Sequence, residues 1–326
     1  MTTSTIGAAL AILLAAATQT APGQTPEGYP SKTVTLIVPT APAGGTDVFA
    51  RLFAERLGKV LNQQFVVDNK PGANGMLGTQ LAARATADGH TLLFTYAAAH
   101  VANPSLYKSV PYDAVKDFAP VVQIGRAANM LLVRPDFPAR TLREFVDIAK
   151  ARPDKLNYCS WGIGSGGHLT MESLKKQAGL ALNHIPYKGN ALCIQDLLGG
   201  QVDTAFGDVS SNIAHVKAGK LRALVYAGPA RLPMLPDVPT MNEAGYPFTT
   251  YAWYGVFAPA GTPPAIVRKL NAAVLALLAD PAMKQRLNEL NLNDLPITTP
   301  EQFGDQVRKD IAAWGRLVRE INVTLD

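Results

Sequence analysis

Along the chain, apolar positions alternate between two periods, runs that suit buried strands and a spacing of three to four that suits helices. Thr33 to Val38 (TVTLIV) is a β-branched run closed by Pro39. A glycine-rich stretch follows. Val48, Phe49, Leu52, Phe53 and Leu57 then recur at helical spacing up to Gly58, which suits a C-cap. Phe65 to Val67 predicts a second strand, Asn74 to Ala85 a helix, and Thr91 to Thr95 a third strand. This order is the signature of a parallel, doubly wound sheet, and near-continuous apolar strands fit burial on both faces.

The pattern then restarts. Val121 to Val133 holds two apolar runs around Gly125 to Asn129, and Thr141 with Glu144 forms a capping box for LREFVDIAK. A strand at Leu156 to Ser160 leads through WGIGSGGH into the helix LTMESLKKQA. His184 to Tyr187, Thr204 to Phe206 and Leu221 to Tyr226 predict strands, and Ala191 to Leu198 a helix. Two α/β units therefore lie in series. A Pro-rich connection, Pro229 to Pro247, separates them from a helical final third. Pro263 and Pro264 open one helix there. Thr299, Pro300 and Gln302 cap another, whose stripe of Phe303, Val307, Ile311, Trp314 and Val318 faces a core.

The first residues do not belong to this scheme. Ile6 to Ala17 are uncharged and nearly all apolar, and small or polar residues follow to Gln24. A membrane-spanning helix needs about 20 apolar residues. The segment instead matches a secretory signal peptide, assigned to 1–26 with cleavage between Ala17 and Glu27, although MTTST carries no Lys or Arg. An uncleaved anchor is the alternative. The body is expected to be exported and soluble.

Composition narrows the function classes. With 326 residues, 48% hydrophobic and 17% charged, the chain can build ordinary cores, and its length suggests two domains. Disordered, collagen-like and disulfide-dense classes are excluded. The 30 Lys and Arg against 25 Asp and Glu are scattered, with no basic run longer than two, as at Lys175-Lys176, so nucleic acid is not the expected partner. A diffuse positive field fits a small anion better. Two cysteines are too few for a metal framework, and no metal or cofactor is expected.

Two strand-to-helix loops are candidates for chemistry: Pro39 to Asp47, and Ser160 to His168. Glycine-rich turns of this kind bring backbone N–H groups to an anion at a helix N-terminus, or merely make tight turns. Gly162-x-Gly164-x-x-Gly167 matches the dinucleotide fingerprint, but Lys188 and Gly189 follow the next strand where an acid belongs. Ser165 and His168 are close, yet no G-x-S-x-G elbow is present, and the five histidines lack metal spacing. Tyr251, Trp253 and Tyr254 form either core or a pocket wall. Asp208 either caps the next helix or faces a cleft.

Ordered motifs cover the whole body of the chain. They include Tyr29-Pro30-Ser31-Lys32, Gly44-Gly45-Thr46-Asp47, Asn69-Lys70-Pro71-Gly72-Ala73, Asp88-Gly89-His90-Thr91-Leu92-Leu93 and Asn103-Pro104-Ser105-Leu106-Tyr107. Further on stand Pro111-Tyr112-Asp113, Pro186-Tyr187-Lys188-Gly189, Leu197 to Asp203 (LLGGQVD), Ala218 to Leu224 (AGKLRAL), Leu235 to Thr240 (LPDVPT) and Ala258 to Pro263 (APAGTP). With these the sequence resembles the Bug-type periplasmic solute-binding proteins of the tripartite tricarboxylate transporter family.

The resemblance implies an α/β, two-lobed periplasmic-binding-protein fold (type II, Venus flytrap) with two crossover strands, located in the periplasm and expected to be monomeric. Lobe one would be 29–125 plus 227–326 and lobe two 126–226, with Val121–Val133 and Leu221–Tyr226 carrying the crossovers. A small organic anion, mono- or dicarboxylate, would sit between the lobes for delivery to membrane permease subunits. A periplasmic sensor feeding a two-component kinase is the alternative. An exported hydrolase using Ser165 and His168 is a third reading. Thr40 stands where the family often has Phe, and Ala43 where it often has Gly, which bears on pocket size.

The expected ligand-binding set is Thr40, Gly44, Gly45, Thr46, Tyr96, Ala97, Ser160, Ser165, Gly166, Gly167, His168, Asp208 and Trp253. Neither loop contains an arginine, and Arg51 lies a turn into the first helix. Recognition is therefore expected to rest on neutral donors, the amides of Gly44–Thr46 and Ser165–Gly167 and the Thr46 and Ser165 hydroxyls. Cys159 and Cys193, the only cysteines, are expected to pair in an oxidising compartment, with two buried thiols as the alternative.

Overall fold

The computed structural model describes residues 28–290, 292 and 294–325, and the expected signal segment lies outside them. The apolar run at the start becomes β1 (Val34–Val38), buried along almost its whole length. Its side chains meet helices on both faces of a sheet, as a continuous rather than alternating pattern requires. Next come α1 (Gly45–Val60), β2 (Phe65–Asn69), α2 (Met76–Ala83), β3 (Thr91–Tyr96), α3 (Asn103–Leu106) and β4 (Phe118–Ala127). A 3-10 turn at Ala73–Gly75 precedes α2, so that helix starts later than its apolar pattern. The second unit holds β5 (Asn129–Val133), α4 (Leu142–Ala151), β6 (Asn157–Ser160), α5 (Gly166–Ala178), β7 (Asn183–Pro186), α6 (Asn190–Leu198), β8 (Thr204–Asp208), α7 (Val209–Lys217) and β9 (Arg222–Tyr226). The chain ends with β10 (Ala252–Pro259), α8 (Pro264–Ala279), α9 (Pro281–Glu289) and α10 (Pro300–Ile321). Thr299 and Gln302 form the full capping box of α10.

Two five-stranded sheets result, ordered β2-β1-β3-β10-β4 and β7-β6-β8-β5-β9. Neither is wholly parallel, which corrects the reading of purely parallel units. β10 runs antiparallel to β3 and β4, and β5 antiparallel to β8 and β9. The physical reason lies in the crossings. Each antiparallel strand is the first to enter its sheet after the chain arrives from the other one, so no βαβ turn sets its direction. β4 passes to β5 through Ala128 alone, and 227–251 carries the return.

That return segment does not sit wholly with the first sheet. Leu232, Met234, Leu235 and Val238 pack on the apolar cluster of the second sheet, and Thr240 pairs with Tyr226. The same cluster contains Cys159 and Cys193, whose sulfurs are 2.11 Å apart with Cα atoms at 5.6 Å. Among the described residues, no helix is long and apolar enough to cross a membrane.

Candidate functional site

A cavity of about 1020 Å³ lies between the two sheets, where the carboxyl ends of β1, β3, β6, β7 and β8 face one another. This is the edge at which open α/β sheets place ligands. Four helices begin on its wall, α1 from the first lobe and α5, α6 and α7 from the second.

The first loop is shaped by one buried carboxylate. Asp47 Oδ2 accepts from the Ala43 amide and Arg51 Nε, both at 3.0 Å, while Oδ1 accepts from Asn69 Nδ2 at 2.9 Å. Burial alone would raise its pKa, but these donors together outweigh that cost and hold the carboxyl below its ordinary range. Asn69 Nδ2 also donates to the Thr40 carbonyl at 3.1 Å, so one side chain ties both ends of the loop. Ala43 adopts φ 65°, the left-handed conformation that favours glycine. Arg51 is committed to Asp47 and Asn69.

The second loop is held by its own side chains. Ser165 caps α5 by accepting from the His168 amide, and His168 Nδ1 accepts from the Gly164 amide at 3.0 Å. Ser160 Oγ bonds the Gly162 carbonyl at 3.0 Å and His184 Nε2 at 2.7 Å. His168 and His184 stack at 4.2 Å, with Tyr158 4.7 Å beyond His184. Burial lowers the His168 pKa to about 4. Burial and the neighbouring His168 lower His184 to about 3. Both rings are therefore neutral near pH 7. With Nδ1 of His168 occupied by an amide and Ser165 Oγ occupied by a helix cap, Ser165 and His168 form no dyad, which overturns the hydrolase reading built on them.

Of the expected set, Thr40, Gly44, Gly45, Thr46, Tyr96, Gly166 and Asp208 stand on the cavity wall. Ala97, Ser160, Ser165, Gly167, His168 and Trp253 stand behind it, and each is buried for a packing or capping reason. A Cβ on Gly167 would lie 2.4 Å from the Phe206 carbonyl, so that glycine lets α5 close on β8. Trp253 donates from Nε1 to Asp310 at 2.7 Å and packs on Phe303. Because strand side chains alternate, its neighbour Tyr254 takes the place on the wall.

Sequence reasoning missed Asn74, Tyr107, Trp161, Tyr187, Lys188, Asn190, Trp314 and Leu325 on this wall, and left Tyr254 open between core and wall. The signal for three of them was available, since Tyr187, Lys188 and Asn190 follow the carboxyl end of β7 and open α6.

Charge on the wall is sparse. Among the described lining residues, Lys188 is the one cation and Asp208 the one carboxylate. Asp208 is turned inward as the cap of α7. Its Oδ1 accepts from the Ser211 amide at 3.0 Å and from Ser210 and Ser211 hydroxyls at 2.8 and 2.5 Å. Burial pushes the Tyr96 and Tyr254 hydroxyls well above the ordinary phenol range, so both stay protonated donors. α1 and α6 differ from α5 and α7 in one respect. Gly44 and Gly189 precede them, and no side chain caps either start. The lobes meet directly, through Asn74 Nδ2 donating to the Gly164 carbonyl at 2.9 Å.

Comparison with known proteins agrees with this arrangement. The family model described as the tripartite tricarboxylate transporter family receptor matches residues 49–323. A Rhodopseudomonas palustris protein solved with adipate is 33% identical, with a TM-score of 0.87 over 91% of this chain and 99% of that one. The periplasmic binding protein BugD is 35% identical, with a TM-score of 0.86 over 91% of this chain and 99% of that one. MatC from Rhodopseudomonas palustris, solved with bound malate, is 35% identical, with a TM-score of 0.84 over 89% of this chain and all of that one.

Proposed function

The chain belongs to the tripartite tricarboxylate transporter receptor family, and from that premise we propose that it captures a small organic carboxylate between its lobes and hands it to membrane permease subunits. Members of this family are periplasmic solute-binding receptors rather than enzymes. The observation that carries the ligand class is the pair of uncapped helix starts on the cavity wall, α1 in one lobe and α6 in the other. Their first-turn amides have no side-chain acceptor, and each N-terminus carries about half a positive charge. A carboxylate supplies the missing acceptor and roughly matches the summed charge. Lys188 adds a cation at the entrance to α6, and the protonated Tyr254 hydroxyl adds a neutral donor, while Tyr96 spends its proton on Asn74 Oδ1 at 3.1 Å. This reading shifts the second-lobe anchor from Ser165–Gly167 towards Gly189 and Asn190. Adipate and malate, held by the related proteins, are the first solutes to test.

The test is native mass spectrometry of protein purified without refolding, followed by calorimetric titration with adipate and malate. A retained carboxylate, or micromolar or tighter binding of either acid, supports the reading. A cavity that retains a neutral or cationic solute and ignores both acids refutes it. Delivery is tested separately, by uptake of the identified solute in cells with and without the permease subunits.

A further inference from the structure

Two of the contacts between the lobes converge on one end of one helix. Gly164, in the second-lobe loop, sits in a socket of first-lobe residues. A Cβ added there would lie 3.0 Å from Asn74 Nδ2, 3.0 Å from Leu106 Cδ1 and 3.1 Å from Leu325 Cδ1. The backbone of Leu325 is itself pinned, since its amide donates to the Leu106 carbonyl at 2.6 Å and it pairs in parallel with Tyr107. Its side chain lines the cavity. One turn earlier, Lys176 of α5 donates from Nζ to the Glu320 carbonyl in the last turn of α10. That carbonyl is among the four at a helix end that lack an intrahelical partner, and a cation there also complements the helix dipole. Lys176 is in the second lobe and Glu320 in the first, so two independent contacts grip the same few residues.

We propose that the end of α10 and the residues after it, Glu320 to Leu325, form the closure latch of this receptor, with Gly164 and Lys176 as the second-lobe halves of two catches. The proposal rests on the reading of the chain as a two-lobed receptor that closes. Leu325 is both a wall of the cavity and a catch, so the solute is sealed by the same side chain that holds the lobes together. Gly164 suits the socket twice over. Its φ of 79° favours glycine, and a side chain would collide with Leu106 and Leu325. The latch is a positioning device, since it sets how long the closed state lasts and leaves the donors that meet the anion untouched.

The experiment is amide hydrogen exchange on the solute-free protein, comparing the parent with Leu325→Asp, Leu325→Ala and Lys176→Met. The readout is the second-lobe segment 161–166, which neither Leu325 variant alters in sequence. Leu325→Asp is expected to speed exchange there about tenfold, the factor that about 1.4 kcal/mol of lost docking produces. Leu325→Ala and Lys176→Met are each expected to give a smaller gain, with β1 and β6 unchanged. Unchanged exchange of 161–166 in all three variants overturns the latch. A rise that extends to β1 and β6 in all three also overturns it, since the contacts would then serve the fold rather than closure. A second arm adds adipate or malate to the parent. If neither slows exchange, the carboxylate reading fails while the solute-free comparison still judges the latch.

Discussion

Substituting Gly45 with alanine tests whether closure depends on backbone proximity at the start of α1. A Cβ at this position would lie 2.5 Å from Tyr254 Oη, 2.7 Å from Ser210 Oγ and 3.0 Å from Asp208 Oδ1. The residue is the first of α1, so alanine meets no backbone strain, and its helix propensity exceeds that of glycine. The collision is therefore the whole perturbation. Ser210 and Asp208 belong to the second lobe and Tyr254 to the first, so part of the clash is relieved by opening the lobes. Overpacking of this kind costs about 1–3 kcal/mol, which corresponds to roughly 5- to 150-fold weaker solute binding if it falls on the closed state. Gly44 is the internal control, because its Cβ would approach nothing nearer than the Ala41 carbonyl at 3.8 Å. Calorimetric titration with the solute found by native mass spectrometry reads the affinities, and thermal melting reads the fold. Gly45→Ala is expected to bind weakly while melting near the parent, and Gly44→Ala, which adds its Cβ to the same wall without meeting protein, to lose less. Adding Ser210→Ala removes the 2.7 Å contact from the second lobe and should restore part of the loss. Equal affinity for Gly45→Ala and the parent, or equal damage from both glycine variants, would refute the reasoning.

Three further outcomes are expected. Cys159 and Cys193 are 34 positions apart, and their bridge contributes roughly 3–4 kcal/mol in the chain-entropy treatment. Thiol titration of the denatured, unreduced protein should find no free thiol, and the Cys159→Ser/Cys193→Ser pair should melt well below the parent. Burial holds His100 and His168 at about 4 against an ordinary 6.5, so the unfolded chain takes up protons that the folded one refuses. Stability is complete above about pH 6.5 and falls as pH drops towards 4, by up to about 3 kcal/mol for each ring. A melting midpoint that stays flat from pH 7 to pH 4.5 would contradict this. Lys188→Met should weaken binding of an anionic solute only two- to fivefold, about 0.5–1 kcal/mol for an exposed charge, and less in high salt. A loss above a hundredfold would show that the cation, and not the neutral donors, holds the carboxylate.

Much of the fold was legible because the relevant signals are local. The β-branched run at Thr33–Val38, the capping residues Thr141 and Thr299 and the α10 stripe each report on their own neighbourhood, and each element formed where its pattern lay. β10 was not legible. Its Trp253, Tyr254 and Gly255 read as an aromatic cluster, since both faces of the strand are covered and no alternation survives. Its antiparallel direction depends on a crossing that no short window records. The candidate site divides along the same line. Loop positions such as Thr40 and Gly44–Thr46 stand at strand ends, where topology alone directs them to the cleft. Trp253 and Tyr254 show the limit, because a one-residue offset in a strand exchanges wall for core. Ser165 and His168 were drawn in by their chemistry, whereas the fold uses them to hold a loop.

That use of reactive residue types follows from what a receptor must do. A loop that presents backbone amides has to keep its shape with or without solute, so its polar side chains are turned inward to hold it. Asp47 does this for the first loop, His168 and Ser160 for the second, and Asp208 for the start of α7. The donors left on the wall, among the described lining residues, are amides, hydroxyls and a single exposed lysine. An arginine fork would bind a carboxylate more tightly, since bidentate charged bonds are roughly twice as strong as neutral ones. It would also slow release, because affinity differences among related complexes lie mostly in the off-rate. A receptor that hands its solute on gains more from closure than from charge. Neutral donors strengthen when water is excluded and weaken when it returns. In such a site the lobes themselves regulate the affinity, and opening is enough to let the solute go.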